Sequence, residues 1–303
     1  MAAHVRNSGI LTAGGTTTVS GSAVGDNATV NVTGPSLVPN GRPKADVGVI
    51  AVKPVELRAV REVLGLRPSS GGELPFHEGE VQVRDRIARV AAIRTLSQGQ
   101  RSAVTAFGDL RQHYRPAVIA LVGIGGGIHT DVSVGDVVIG TQVVYYDRRK
   151  ETPGKVWRRG EDVPAPAPVL RAVNTFFDDH DEPARFQSQG SDGVVRDYQV
   201  LHGPIGSGEA VIADAASEIR GYLAAYNDTT RAVDMEAGGL VRAFYEQSGD
   251  GRVQGWLVIR GISDKADPDK GDDPQAAAAW HAAKVLRALL PYLPLGDSTD
   301  SER

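Results

Sequence analysis

The segment Trp256-Leu-Val-Ile259 is apolar at every position, and Arg260-Gly-Ile-Ser-Asp264 follows it directly. A strand with one wet face alternates apolar and polar residues, whereas an unbroken apolar run is buried on both faces. Val47 to Val52 and Val118 to Val122 have the same character. Strands buried on both faces belong to sheets covered by helices. The stretch after the first run supplies one, with Leu57, Val60 and Leu64 at helical spacing behind Pro54. The expectation is an α/β fold with a mixed central sheet flanked by helices. In such sheets ligands bind beyond the carboxyl ends of strands. Asp264 at a strand end and Glu236 at a helix start are therefore candidates to face one crevice.

The chain has 303 residues, enough for one large domain and an appendage. The net charge of -4 gives no basic surface for nucleic acid or an anionic membrane. The absence of cysteine excludes disulfides, thiolate metal sites and a cysteine nucleophile. No histidine–carboxylate cluster has metal-ligand spacing, and no cofactor is expected. No apolar run is bilayer-long and no secretion signal opens the chain, so the expected location is cytoplasmic.

Residues 1–45 differ from the rest, being rich in Gly, Ser, Thr and Val. Gly25-Asp-Asn27 suits a hairpin turn, and Pro35 to Pro43 reads as a linker. A two-stranded ribbon is marginal alone, so this β-arm is expected in assembly or docking, or as a floppy appendage. The main domain is placed at 46–295 and a tail at 296–303. The run Arg148 to Arg159 is basic and reads as a solvated surface loop; folded over a pocket, it would meet phosphates.

Val233-Asp-Met-Glu236 and Arg260-Gly-Ile-Ser-Asp-Lys-Ala-Asp267 resemble signature segments of the nucleoside phosphorylase superfamily. The resemblance is closest to the methylthioadenosine/S-adenosylhomocysteine nucleosidases and covers roughly Asp46 to Leu293. It implies a twisted, partly closed central barrel, and hydrolysis of the N-glycosidic bond of a purine nucleoside, with adenine as the base. It also implies a homo-oligomer in which a neighbouring subunit closes the 5′ end of the pocket. On the matched positions, Asp264 is the general acid to purine N7, oriented by Ser263, and Glu56 holds the attacking water. Glu236 accepts from the ribose 2′- and 3′-hydroxyls, and Met235 floors the sugar. Val211 and Ile212 line the base. Gly125 and Gly126, in a glycine-rich turn after Val122, let the ligand approach the backbone.

Such chemistry passes through an oxocarbenium-like transition state and needs an acid beside the leaving base. For Asp264 to carry that proton near neutral pH, burial in an apolar crevice must raise its pKa. Taken singly, Asp264 reads as a turn residue, Glu236 as a helix-start carboxylate and Met235 as core filler. Their joint order carries the functional reading. Asp234 reads as a cap, Asp136 and Asp267 as structural, and His129 as a loop histidine.

The chain departs from the family at Lys53-Pro-Val, where an acidic cluster is usual, at Ile124 in place of a hydroxyl, and at Val211 in place of an aromatic. Phosphorylases of the superfamily carry a basic anion-binding turn after the first strand. The carboxylate Glu56 there favours water over phosphate. Two alternatives stand beside the nucleosidase. One is a nucleotide nucleosidase acting as an effector of bacterial defence. The other is a non-catalytic nucleoside-sensing module.

Overall fold

The computed structural model describes residues 45–70, 74–189, 193–212, 214, 216–249, 253–266 and 272–295. The expected N-terminal arm and linker, apart from Ala45, lie outside them. So do the tail at 296–303 and Asp267.

The chain opens with strand β1 (Val47–Ala51), every residue of which is buried. Helix α1 (Pro54–Leu64) follows at once. Proline presets its first turn, Glu56 sits where the helix dipole favours a carboxylate, and Gly65 ends it at φ 68°. Then come β2 (Arg67–Pro68), β3 (His77–Val83), β4 (Arg86–Arg94), α2 (Gln100–His113) and β5 (Val118–Gly127). The middle of the chain holds β6 (Val137–Tyr145), β7 (Arg149–Thr152), β8 (Lys155–Arg158), β9 (Glu161–Pro164), α3 (Ala167–His180), β10 (Ala184–Gln189) and β11 (Val195–Ser207). The last third holds α4 (Glu218–Tyr226), β12 (Ala232–Asp234), α5 (Ala237–Gln247), β13 (Gly255–Asp264) and α6 (Asp272–Leu289).

The main sheet runs β10-β11-β6-β13-β5-β1-β4-β3-β2. The short β12 pairs with both β11 and β5, which closes β5, β13, β6, β11 and β12 into a barrel. Pairing is mixed. β1 is parallel to β4 and β5, β13 is parallel to β5, and β13 is antiparallel to β6. The expected partly closed barrel flanked by helices is the observed fold. Strand β13 is its spine, buried from Gly255 through Ser263. Helix α6 packs on it so closely that a Cβ at Gly261 would lie 2.5 Å from the Ala278 carbonyl carbon.

Two expectations need correction. The glycine-rich stretch after Val122 is strand, not turn. β5 continues through Gly127, pairing with β13 on one side and β12 on the other. Glycine permits this because neighbouring chain crowds the strand at Gly123, Gly125 and Gly126. The basic stretch is a two-stranded hairpin, β7–β8, with Arg149 opposite Arg158. Among the described residues no helix is long and apolar enough to cross a membrane.

Candidate active site

A cavity of about 220 Å³ opens where the ends of β1, β5, β11, β12 and β13 meet. All nine residues singled out from the sequence line it: Glu56, Gly125, Gly126, Val211, Ile212, Met235, Glu236, Ser263 and Asp264. Its floor is buried, with Glu56 at 2% and Glu236 at 5% exposure. Its mouth is open, and Val211 there is 60% exposed.

Among the described residues Glu56 is held entirely by backbone. Its Oε2 accepts from the N–H groups of Val52 (2.7 Å) and Lys53 (2.8 Å), and its Oε1 from Ile124 (2.8 Å). The bond to Lys53, the residue before α1, is half of a capping box. The carboxylate lies flat over β5, and a Cβ at Gly123 would stand 2.5 Å from its Cδ. Among the described residues one N–H uses Oε1, which leaves it a lone pair for a ligand.

Glu236 stands immediately before α5. Its Oε1 accepts from the N–H of Gly99 at 2.9 Å and its Oε2 from Arg260 at 3.1 Å. Burial pushes its carboxyl above the ordinary range; the Arg260 guanidinium opposes this and neighbouring Asp234 adds to it. Asp234 behaves as a cap, accepting from the N–H groups of Glu236 and Ala237. It also accepts from Arg260 at 2.6 and 2.9 Å and from the Ser207 hydroxyl at 2.6 Å.

Arg260 is fully buried and was not read from the sequence as a site residue. A signal existed. A cation directly after a buried strand run requires buried anions, and Asp-x-Glu at 234–236 supplies them. Gln100 and Ser207 were also missed. The Gln100 amide donates to Ser207 Oγ and to the Gly208 carbonyl oxygen, and its Oε1 accepts from the Gly239 N–H. These bonds fix the first turn of α5 and with it Glu236.

Asp264 ends β13 at the rim and is half-buried, less enclosed than the apolar crevice expected. Its Oδ2 accepts from the Ser263 hydroxyl at 2.8 Å and its Oδ1 from the Ala266 N–H at 2.9 Å. Met235 and Ile212 supply apolar wall. His129 lies off the cavity, bonded to Asp131, and Asp136 ties down the turn before β6 and β11. Among the described residues no acid–histidine cluster is placed to hold a metal ion.

The family model for the phosphorylase superfamily matches residues 46–293. The chain belongs to the phosphorylase superfamily. Its relatives include an Escherichia coli protein named ATP nucleosidase Cap17. That protein is 27% identical over 266 residues, which are 80% of this chain and 50% of the relative. The chain thus spans about half the length of that relative. The 5′-methylthioadenosine/S-adenosylhomocysteine nucleosidase of Mycobacterium tuberculosis is 25% identical over 82% of this chain and 97% of its own length. Among solved structures, the corresponding nucleosidase of Neisseria meningitidis, in complex with methylthio-immucillin-A, superposes with a TM-score of 0.63. It is 22% identical, over 82% of this chain and 99% of its own. Superfamily membership accounts for the barrel.

Proposed function

We propose that the protein hydrolyses the N-glycosidic bond of a purine nucleoside, releasing the free base, with adenine the base taken. The observation that carries this reading is the convergence of Glu56, Glu236 and Asp264 on one cavity with an apolar wall. Asp264 at the rim would protonate the purine N7, so that the base leaves neutral. Glu236, fixed by Gly99 and Arg260, would accept from the ribose hydroxyls. Glu56 would hold the attacking water on the spare lone pair of Oε1 and take its proton as the C1′–O bond forms. An oxocarbenium-like centre between such carboxylates is stabilised electrostatically, and no covalent intermediate is needed. The M. tuberculosis relative and Cap17 are both named nucleosidases, which supports the same chemistry.

Water is favoured over phosphate for a physical reason. The N–H groups of Val52, Lys53 and Ile124 converge as an anion-binding nest would, and the chain's own Glu56 carboxylate occupies them. A phosphate co-substrate would meet both a filled nest and a like charge.

We further propose that the protein acts as a homo-oligomer in the cytoplasm, as the resemblance implies. The Asp264→Asn and Glu56→Gln variants test the site. Each should lower base release by roughly 10²- to 10⁴-fold with circular dichroism unchanged. Wild-type rates in both would remove the assignment.

A further inference from the structure

Among the described residues the cavity lining holds four carboxylates, Glu56, Asp234, Glu236 and Asp264, and one cation, Lys53. A lysine placed to balance those acids would pair with one of them. Glu56 is three residues away, yet it bonds the backbone N–H of Lys53 and not its ammonium. Among the described residues the Lys53 ammonium meets Gln275 alone, donating to its Oε1 at 3.1 Å from across the mouth, on α6. Two of its three N–H bonds remain for a ligand. A half-buried ammonium with one neutral acceptor is desolvated without return when the substrate is uncharged. An anion at the mouth supplies the return.

The nucleosidase reading, on which this inference rests, says which part of the substrate reaches there. The base lies against Asp264 and Ile212, and the sugar hydroxyls meet Glu236. The 5′ substituent is what remains to leave a cavity of about 220 Å³ through the mouth. We infer that Lys53, steadied by Gln275, binds the phosphate of a nucleoside 5′-phosphate, and that the substrate class is the nucleotide. No proton or bond changes hands there; the lysine acts by a charge-assisted hydrogen bond.

The test is calorimetric titration with adenosine, AMP, ATP and inorganic phosphate, in an Asp264→Asn background that keeps the ligands intact. AMP should bind about 10- to 100-fold more tightly than adenosine. Lys53→Met should bring that ratio near unity, and Lys53→Arg should keep most of it. Gln275→Glu, which sets a carboxylate beside the ammonium, should abolish it without touching Lys53. An unchanged ratio in Lys53→Met and Gln275→Glu, or tighter binding of adenosine than of AMP, overturns the inference. Sugar 1-phosphate formed by the wild type from inorganic phosphate in a Lys53-dependent reaction would assign the lysine to free phosphate, and would overturn it equally. Base release by the wild type is read separately. Its absence with every ligand would end the nucleosidase reading, while the selectivity ratio still decides the role of Lys53.

Discussion

Gly123→Ala is the substitution that most sharply separates catalysis from folding in this site. The new Cβ would lie 2.5 Å from Glu56 Cδ and 2.8 Å from Oε2, where ordinary contact begins at 3.4 Å. The carboxylate must therefore retreat by about 1 Å. The first bond at stake is the one from the Ile124 N–H to Oε1, because Ile124 is the next residue along β5. Losing one charge-assisted bond and leaving a buried N–H unpaired costs about 1–3 kcal/mol of stability. Displacing the group that holds the water by about 1 Å costs roughly 10²-fold in rate. The assay is chromatographic release of free base at saturating substrate, beside a urea titration of the same preparation. The account expects a variant that still folds, with a rate at least about 100-fold lower. Wild-type turnover in Gly123→Ala would show that the position of Glu56 is immaterial and would refute the role given to it.

Arg260→Met leaves the carboxylates of Asp234 and Glu236 buried without a cation; urea denaturation should show a loss of about 3–5 kcal/mol. Gly221→Ala on α4 meets nothing within 4 Å, so it should stabilise by about 0.5–1 kcal/mol and leave turnover unchanged. Because burial raises the Glu236 carboxyl, falling pH protonates it earlier than a free glutamate. The acid limb of kcat/KM should therefore lie above the ordinary carboxylate value of about 4.3, and Glu236→Gln should remove that limb.

The sequence exposes those parts of the site that sit where a local pattern ends. Glu56 follows the first apolar run and Asp264 the last, and Met235-Glu236 opens a helix. Each is a boundary that periodicity can find, and all line the cavity. The network beneath them is of another kind. Gln100, Ser207, Asp234 and Arg260 lie on four elements, and only the closure of the barrel by β12 brings them together. No local period encodes such a contact. The glycines after Val122 show the same limit in reverse. Read locally they signal a turn, but their cause is tertiary, since Glu56, Arg260 and Asp264 crowd β5 at Gly123, Gly125 and Gly126. The basic hairpin was misread because Arg149 to Arg158 is exposed along most of its length and lacks the buried face that marks a strand.

In the proposed mechanism water, activated beside Glu56, cleaves the bond between sugar and purine. That mechanism is tested most directly by incubating the protein with adenosine and AMP in heavy-oxygen water without phosphate, then weighing the products. The expected products are free adenine and a sugar that carries the heavy oxygen at C1. Base release that requires phosphate, or a sugar without the label, would contradict it.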